Sequence, residues 1–184
     1  MCGIAGLIWK GGVTSDIGSE MTQMLQALKH RGPDSTGFAL YGKSDDDVHI
    51  LRFKVAEQEE MKTGFDIHRQ VIERKAAVDV RLEELGAEVI KKEDATEYAF
   101  RYLFKFNGDL KRLIDFIEDL EGVEILSVGK GLELIKDLGD ATVVADQYGL
   151  KGFNGTHAIG HTRMATESDV DIRSAHPYWA YPFN

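Results

Sequence analysis

The pattern of hydrophobic and polar positions predicts a strand, a helix and two further strands in the first third of the chain. Residues 2–9 alternate loosely and are rich in β-forming side chains, which is typical of a buried strand. Methionines and leucines then recur at helical spacing, which predicts an amphipathic helix over about residues 19–29. Strands are predicted over 36–41 and 48–53, and the loop between them carries adjacent aspartates at 45–47. Adjacent acids of this kind favour a solvated loop over a metal site.

The character of the sequence changes between about residues 55 and 138. Charged helical segments are predicted over 67–85 and 110–120, and strands over 98–106 and 123–128. This order indicates a small α/β insertion in an α+β domain that spans residues 1–184. The insertion carries no recognisable chemistry, so a packing or docking role is expected for it. Strand-like sequence then returns at 141–145 and 156–162.

Composition and charge narrow the classes of function. The formal net charge of −9 argues against non-specific binding of nucleic acid, which depends on lysine and arginine. No run approaches the ~20 apolar residues of a membrane span. The apolar N-terminus lacks the basic leader of a secretory signal, so a cytoplasmic protein is expected. A single cysteine excludes a disulfide framework and a cysteine-rich metal site within the chain.

That cysteine, Cys2, directly follows the initiator methionine. Removal of Met1 would place a free α-amino group beside the thiol. An N-terminal amine has a pKa near ~8, so it can act as a general base for a thiolate nucleophile. The alternative is that Cys2 is a small buried hydrophobe at the start of a strand. Gly3 weakens this alternative, because glycine lets substrate or backbone approach closely.

Two histidines four residues apart, His157 and His161, raise the question of a metal site. In a strand this separation is about 13 Å, too far for both side chains to bind one ion. No second cysteine and no carboxylate cluster accompanies them. We therefore expect no metal, and the absence of a phosphate-binding glycine-rich loop gives no reason to expect a nucleotide cofactor.

Four sequence blocks occur in an order that is typical of one enzyme family. They read MCGIAG at 1–6, LKHRGPDSTG at 28–37, GHTRMAT at 160–166 and AHP at 175–177. Together they resemble the class II glutamine amidotransferases, the N-terminal-cysteine branch of the Ntn hydrolases. The resemblance covers residues 1–54 and about 140–184, and it leaves the middle of the chain unmatched.

The resemblance implies a role for each matching residue. Cys2 would attack the side-chain amide of glutamine, form a γ-glutamyl thioester and release ammonia. Arg163 would hold the α-carboxylate of glutamine through its planar guanidinium, with a structural ion pair as the alternative reading. Thr166 would line the same loop and help to close it over glutamine. The residues expected to shape the site without taking part in the chemistry are Gly3, Arg31, Asp34 and His176.

One part of the family's machinery is missing from the sequence. The oxyanion hole, an Asn side chain and the following Gly N–H, is expected soon after the Ala-His-Pro block. No such pair follows His176, and Asn107-Gly108 and Asn154-Gly155 precede the block and suit tight turns. The sequence therefore predicts a fragment of a longer protein or of a split polypeptide. We expect residues 1–184 alone to have little glutaminase activity and to associate.

The fold and partners implied by the resemblance are also expectations. The fold would be α+β, part of the four-layer αββα sandwich of the Ntn hydrolases. Ammonia would pass to a synthase domain or subunit in a complex, most like that of stand-alone glutamate-synthase-type subunits, with an asparagine-synthetase-like acceptor as the alternative. A different hypothesis is a non-catalytic Ntn-like module that senses glutamine or binds a partner. The missing oxyanion hole favours the sensor, whereas Cys2 and Arg163 favour the enzyme.

Overall fold

The computed structural model describes residues 2–164 and 175–181. Within these residues the chain is mixed α+β, with two antiparallel sheets and five α-helices, so the predicted fold class is confirmed. The strands are β1 (Gly3–Ile8), β2 (Ser15–Asp16), β3 (Ser35–Gly42), β4 (His49–Lys54), β5 (Glu88–Asp94), β6 (Ala99–Lys105), β7 (Glu124–Gly129), β8 (Leu132–Leu138) and β9 (Asn154–Arg163). The helices are α1 (Ile17–Ala27), α2 (Gln58–Thr63), α3 (Ile67–Glu84), α4 (Leu110–Glu118) and α5 (Ala141–Gln147).

The chain divides into two compact units. The first unit comprises Met1–Lys43 and Gly131–Trp179, and the second comprises Ser44–Lys130 and Ala180–Asn184. The bounds predicted for the insertion, about 55–138, differ from these because β4 opens the second unit and β8 belongs to the sheet of the first. No helix in the described part of the chain is long and apolar enough to cross a membrane.

The first unit contains a sheet in the order β1-β9-β3-β8, and all its pairings are antiparallel. The short β2 also pairs with β9. Helix α1 covers one face of this sheet through Met21 and Leu25, which are fully buried. Both side chains lie directly over Gly160 of β9, where a Cβ atom would be 2.5 Å from Leu25 Cδ1. The helix therefore packs against β9 because residue 160 has no side chain.

The second unit has the sheet order β5-β6-β4-β7. Along the chain it runs strand, helices, strand, strand, helix, strand, which is the split βαβ arrangement of ferredoxin-like folds. Helices α3 and α4 contribute buried aliphatic side chains, among them Leu82 and Leu113. The aromatic core includes Phe53 of β4, whose ring meets that of Tyr102 edge-on at 5.1 Å between centroids.

Most predicted elements are present, with one clear error. The strand at 2–9, the helix at 19–29 and the final strand at 156–162 correspond to β1, α1 and β9. The strand predicted over 141–145 is wrong, because this segment forms α5. Asp140 caps that helix by accepting hydrogen bonds from the backbone N–H groups of Thr142, at 3.0 Å, and Val143, at 3.2 Å. Strands β2, β5 and β8 and the short α2 were not predicted.

Candidate active site

The candidate active site lies at one end of the first sheet, where β1 and β3 begin and β8 and β9 end. The register places Gly3 opposite Thr162 in the β1–β9 pair. Cys2 precedes Gly3 and Arg163 follows Thr162, so Cys2 and Arg163 lie at the same end of the sheet. Ser35, the first residue of β3, pairs with Arg163 from the other side. The sheet thus brings together the first, second and third sequence blocks.

Cys2 is exposed, so the alternative of a small buried hydrophobe at the strand start is wrong. Its backbone carbonyl accepts a hydrogen bond from Arg31 Nε at 3.3 Å. Arg31 ends a short 3-10 turn, Lys29–Arg31, that follows α1. The thiol is therefore open to a substrate, while the backbone that carries it is held by a residue of the second block.

Gly3 permits close packing of β1 on its neighbours. A Cβ atom at this position would lie 2.8 Å from Thr162 Oγ1 and 3.1 Å from Leu28 Cβ. The first distance is shorter than real Cβ contacts, so a side chain at position 3 would force Thr162 or its surroundings to shift. Gly3 therefore allows atoms of Thr162 and Leu28 to approach β1 closely.

The turn that contains Asp34 connects the ends of two strands by backbone hydrogen bonds. The Asp34 N–H donates to the Arg163 carbonyl at 3.1 Å, and the Asp34 carbonyl accepts from the Gly139 N–H at 3.0 Å. Gly32, in the same turn, lies so close to β9 that a Cβ atom would be 2.5 Å from the Arg163 carbonyl carbon. These contacts fix the backbone on either side of Arg163, whose side chain is half-buried.

His176 lies against the same sheet. Its ring centroid is 4.9 Å from that of His161 in β9 and 4.6 Å from that of Tyr178. Its carbonyl oxygen lies over Gly37 of β3, only 2.0 Å from the position a Cβ atom would take there. The fourth sequence block is therefore packed onto the strands that carry the second and third blocks.

His161, considered from the sequence only as a possible metal ligand, is part of the candidate active site. It is only 8% exposed, and its Nδ1 has no hydrogen-bond partner within the described residues. Burial lowers the pKa of His161, and the neighbouring His176 and Arg163 lower it further, so the ring is neutral at neutral pH. Side chains alternate along a strand, so residues 161 and 163 lie on the same face of β9. This alternation could have indicated from the sequence that His161 lies beside Arg163.

The remaining residues considered from the sequence fall elsewhere. His157 stacks on Tyr41 with ring centroids 4.0 Å apart, at the other end of β9. Thr166, expected to line the glutamine loop, lies outside the described residues. In the part of the chain that the structure describes, no group of three or more His, Cys, Asp or Glu side chains could hold a metal ion.

Comparison with known proteins gives two relatives that match almost the whole chain. The chain is 38% identical to the "Putative glutamine amidotransferase" of Methanothermobacter thermautotrophicus, over 98% of the chain and 57% of that protein. It is 31% identical to the "Glutamine amidotransferase-like protein GlxB" of Rhizobium meliloti, over 97% of the chain and 54% of that protein. The chain therefore spans a little over half the length of each relative. No protein-family model matches it.

These matches extend the likeness seen in the four sequence blocks. Because each covers nearly all of the chain, each includes the segment that the resemblance left unmatched. The second unit is thus a shared part of these proteins. The two relatives support a glutamine amidotransferase domain.

Proposed function

We propose that this chain carries the glutamine-hydrolysing site of a class II amidotransferase, with Cys2 as the N-terminal nucleophile. The observation that carries the proposal is the position of Cys2. The single cysteine of the chain is exposed just before the start of β1, and Arg163 lies at the same end of the sheet. The names of both relatives, glutamine amidotransferase and glutamine amidotransferase-like, support the substrate.

The chemistry follows from a cysteine that becomes the first residue after removal of Met1. Its α-amino group accepts the thiol proton, and the thiolate attacks the carbonyl carbon of the glutamine side-chain amide. The tetrahedral intermediate collapses with cleavage of the C–N bond, and the departing nitrogen takes the proton from the amine and leaves as ammonia. Water then attacks the γ-glutamyl thioester, which releases glutamate and restores the thiol.

The neighbouring residues have positioning roles in this proposal. The planar guanidinium of Arg163 binds the α-carboxylate of glutamine, since two of its N–H groups match the two carboxylate oxygens. Arg31 holds the Cys2 carbonyl, which fixes the orientation of the nucleophile. Thr166 lines the glutamine loop, and Gly3, Asp34 and His176 shape the surrounding backbone. The four-layer sandwich of the Ntn hydrolases is the fold we propose for the complete domain.

The ammonia released at Cys2 needs an acceptor. We assign this role to a synthase domain or subunit that works in a complex with the chain, of the glutamate-synthase kind, with an asparagine-synthetase-like acceptor as the alternative. The cysteine mechanism itself requires no cofactor or metal, because the nucleophile and the base belong to one residue.

Trapping of the acyl-enzyme tests the proposal. Because residues 1–184 alone are expected to have little glutaminase activity, the chain is expressed within the full length of its own gene. The product is mixed with glutamine, quenched in acid and weighed by intact-protein mass spectrometry. We expect a γ-glutamyl adduct on the wild type and none on Cys2→Ala, which should still bind glutamine because Arg163 is unchanged. Glutamine binding of equal affinity in both proteins, with no adduct on either, would instead establish the non-catalytic sensor.

A further inference from the structure

The outer edge of β1 is an open edge of the first sheet. β9 pairs with one side of β1, and within the described residues no strand pairs with the other side. The β1–β9 register runs from Gly3 to Ile8 without a shift, so no bulge turns this edge away from a partner. The edge offers about 20 Å of regular strand.

The pairing with β9 shows which backbone groups of β1 point outward. Just beyond β1, the Trp9 N–H donates to the Thr156 carbonyl at 2.7 Å. In an antiparallel pair, hydrogen-bonded and non-hydrogen-bonded residues alternate. Residues 3, 5 and 7 therefore bond to β9, as residue 9 does. Ile4, Gly6 and Ile8 direct their N–H and C=O groups to the open side.

The side chains on this stretch form an exposed apolar patch. Ile4 is 73% exposed and Ile8 is 69% exposed. Between them, Gly6 pairs with Ile159 of β9, which is 49% exposed. The three isoleucines lie on the face of the sheet opposite α1, because Gly160, next to Ile159, faces that helix.

The other outer strands of the two sheets show how this protein protects an edge. β5 carries charged side chains at Glu88, Lys91 and Lys92, and its pairing with β6 is interrupted by a register shift. Most side chains of the outer strands β7 and β8 are buried. β1 has no charged residue, no proline and no bulge. Natural proteins seldom leave such an edge exposed to solvent, because it templates pairing with another strand.

We propose that this edge accepts a β-strand from a polypeptide segment equivalent to the part of the longer relatives that the chain does not match. The chain covers only 57% and 54% of the two relatives, so each has a large segment available for this purpose. The strand pairs with the outward groups of Ile4, Gly6 and Ile8 and covers the three isoleucines with apolar side chains of its own. The segment is joined to the chain or supplied as a separate polypeptide.

Residue-resolved amide exchange tests the pairing. The chain is co-expressed with the unmatched part of the Methanothermobacter thermautotrophicus relative, and the purified complex is compared with the chain alone. In the chain alone, the amides of Ile4, Gly6 and Ile8 should exchange quickly and those of Ala5 and Leu7 slowly. In the complex all five should exchange slowly. Failure to co-purify, or unchanged exchange at the three outward amides, would overturn the proposal.

A second copy of the chain is the competing occupant. It would slow exchange at the same three amides in the chain alone, in proportion to protein concentration, and that result would also overturn the proposal. None of these readouts depends on glutamine hydrolysis. The strand pairing can therefore be correct even if the proposed function is wrong, and the proposed function can be correct even if the pairing is wrong.

Two substitutions at one position give a matched comparison. Gly6→Pro removes an outward N–H and leaves the bonds to β9, a position where an edge strand tolerates proline. Gly6→Ala keeps the N–H, and its Cβ has no neighbour closer than the Ala158 carbonyl oxygen at 3.6 Å. We expect Gly6→Pro to weaken the complex about tenfold or more and Gly6→Ala to leave the affinity within about twofold. Equal affinities would contradict the pairing.

A side-chain variant covers the case in which Gly6→Pro fails to fold. Ile4→Thr retains a β-branched side chain, so the strand is preserved, and it removes part of the apolar patch. Circular dichroism of each variant shows whether the fold is kept. We expect Ile4→Thr to weaken the complex severalfold, and unchanged affinity would exclude the patch as the contact surface.

Discussion

Cys2 and Arg163 lie at one end of the first sheet because β1 and β9 pair in a register that sets Gly3 opposite Thr162. The backbone around both residues is fixed by hydrogen bonds from Arg31 and Asp34. The proposed chemistry therefore depends on residues that are distant in sequence and are brought together by one central strand.

Arg163 gives the first prediction at the scale of single residues. Arg163→Lys keeps the positive charge and loses the planar pair of donors, so we expect glutamine to bind about ten- to a hundredfold more weakly. Isothermal titration with glutamine measures the change. Arg69→Lys, an exposed position paired with Asp66 in the second unit, is the matched control and should leave glutamine affinity unchanged.

His161 gives a pH-dependent prediction. Its pKa in the fold is below the ordinary value of 6.5, so the unfolded chain takes up this proton more readily than the folded chain. The stabilising effect of a neutral His161 is complete above pH 6.5 and is lost as the pH falls towards the lowered pKa in the fold.

Thermal unfolding from pH 8 to pH 5 checks this prediction in the wild type and in His161→Gln. The pKa of His49 is also lowered by burial, but its effect is common to both proteins and cancels in the difference. We expect the wild type to lose more stability on acidification than the variant does. Parallel curves would show that His161 does not carry the effect.

At the scale of elements, α5 begins at a side-chain cap, Asp140. Asp140 accepts N–H bonds at the helix start, and it also receives a hydrogen bond from Lys29 Nζ at 2.7 Å. The hydrogen bond from Lys29 and the backbone donors hold the pKa of Asp140 below its usual range. The cap thus joins α5 to the turn that carries Arg31.

Substitutions of Asp140 separate its contribution to stability as the helix cap from its contribution as the ion-pair partner of Lys29. Asp140→Ala should lower the free energy of unfolding by about 1 kcal/mol through loss of the cap. Asp140→Asn keeps a good cap and loses only the partly exposed ion pair, so it should cost much less. Because the pKa is lowered, the carboxylate stabilises the fold above pH 3.8, and this effect disappears as the pH falls through the folded value. Chemical denaturation at pH 7 and pH 3 measures both effects.

Elements with strong periodicity could be predicted, and those that depend on distant partners could not. The spacing of Met21 and Leu25 was enough for α1. The Thr-Val-Val run at 142–144 has β-branched side chains that favour a strand, and the cap at Asp140 was not considered, so α5 was mistaken for a strand. β8 was missed because charged residues are buried in it, as at Asp137, which accepts a hydrogen bond from Tyr148 Oη at 2.7 Å.

The same limit applies to the candidate site. The order of the sequence blocks was enough to select Cys2 and Arg163 as candidates. The contact between His161 and His176 depends on the register of the sheet and on the path of the chain after β9, neither of which periodicity reveals. The exposure of Cys2 likewise became clear only from the structure.

At the scale of the whole molecule, the second unit joins two strands that are already neighbours. β3 and β8 pair along their length, with Tyr41 opposite Leu132, and the Gly42 N–H donates to the Gly131 carbonyl at 2.9 Å. In the sequence, residues 44–130 are therefore inserted where a short hairpin turn would otherwise join β3 to β8.

This topology predicts that the second unit can be removed. Replacement of residues 43–130 by Asn-Gly, which favours a two-residue hairpin turn, should leave the first unit folded. Residues 44–130 alone should also fold, since they form a complete split βαβ arrangement. Dispersed amide spectra and cooperative unfolding of each piece are the expected results. An unfolded first piece would show that its sheet depends on the second unit.

The most direct measurement is the intact mass of the protein before and after reaction with a diazoketone analogue of glutamine. We predict a mass that lacks Met1 and a single adduct, which is absent from Cys2→Ala. This result would show a processed, reactive N-terminal cysteine in a formed glutamine pocket. A retained Met1, or an unlabelled thiol in a protein that binds glutamine, would contradict Cys2 as the nucleophile.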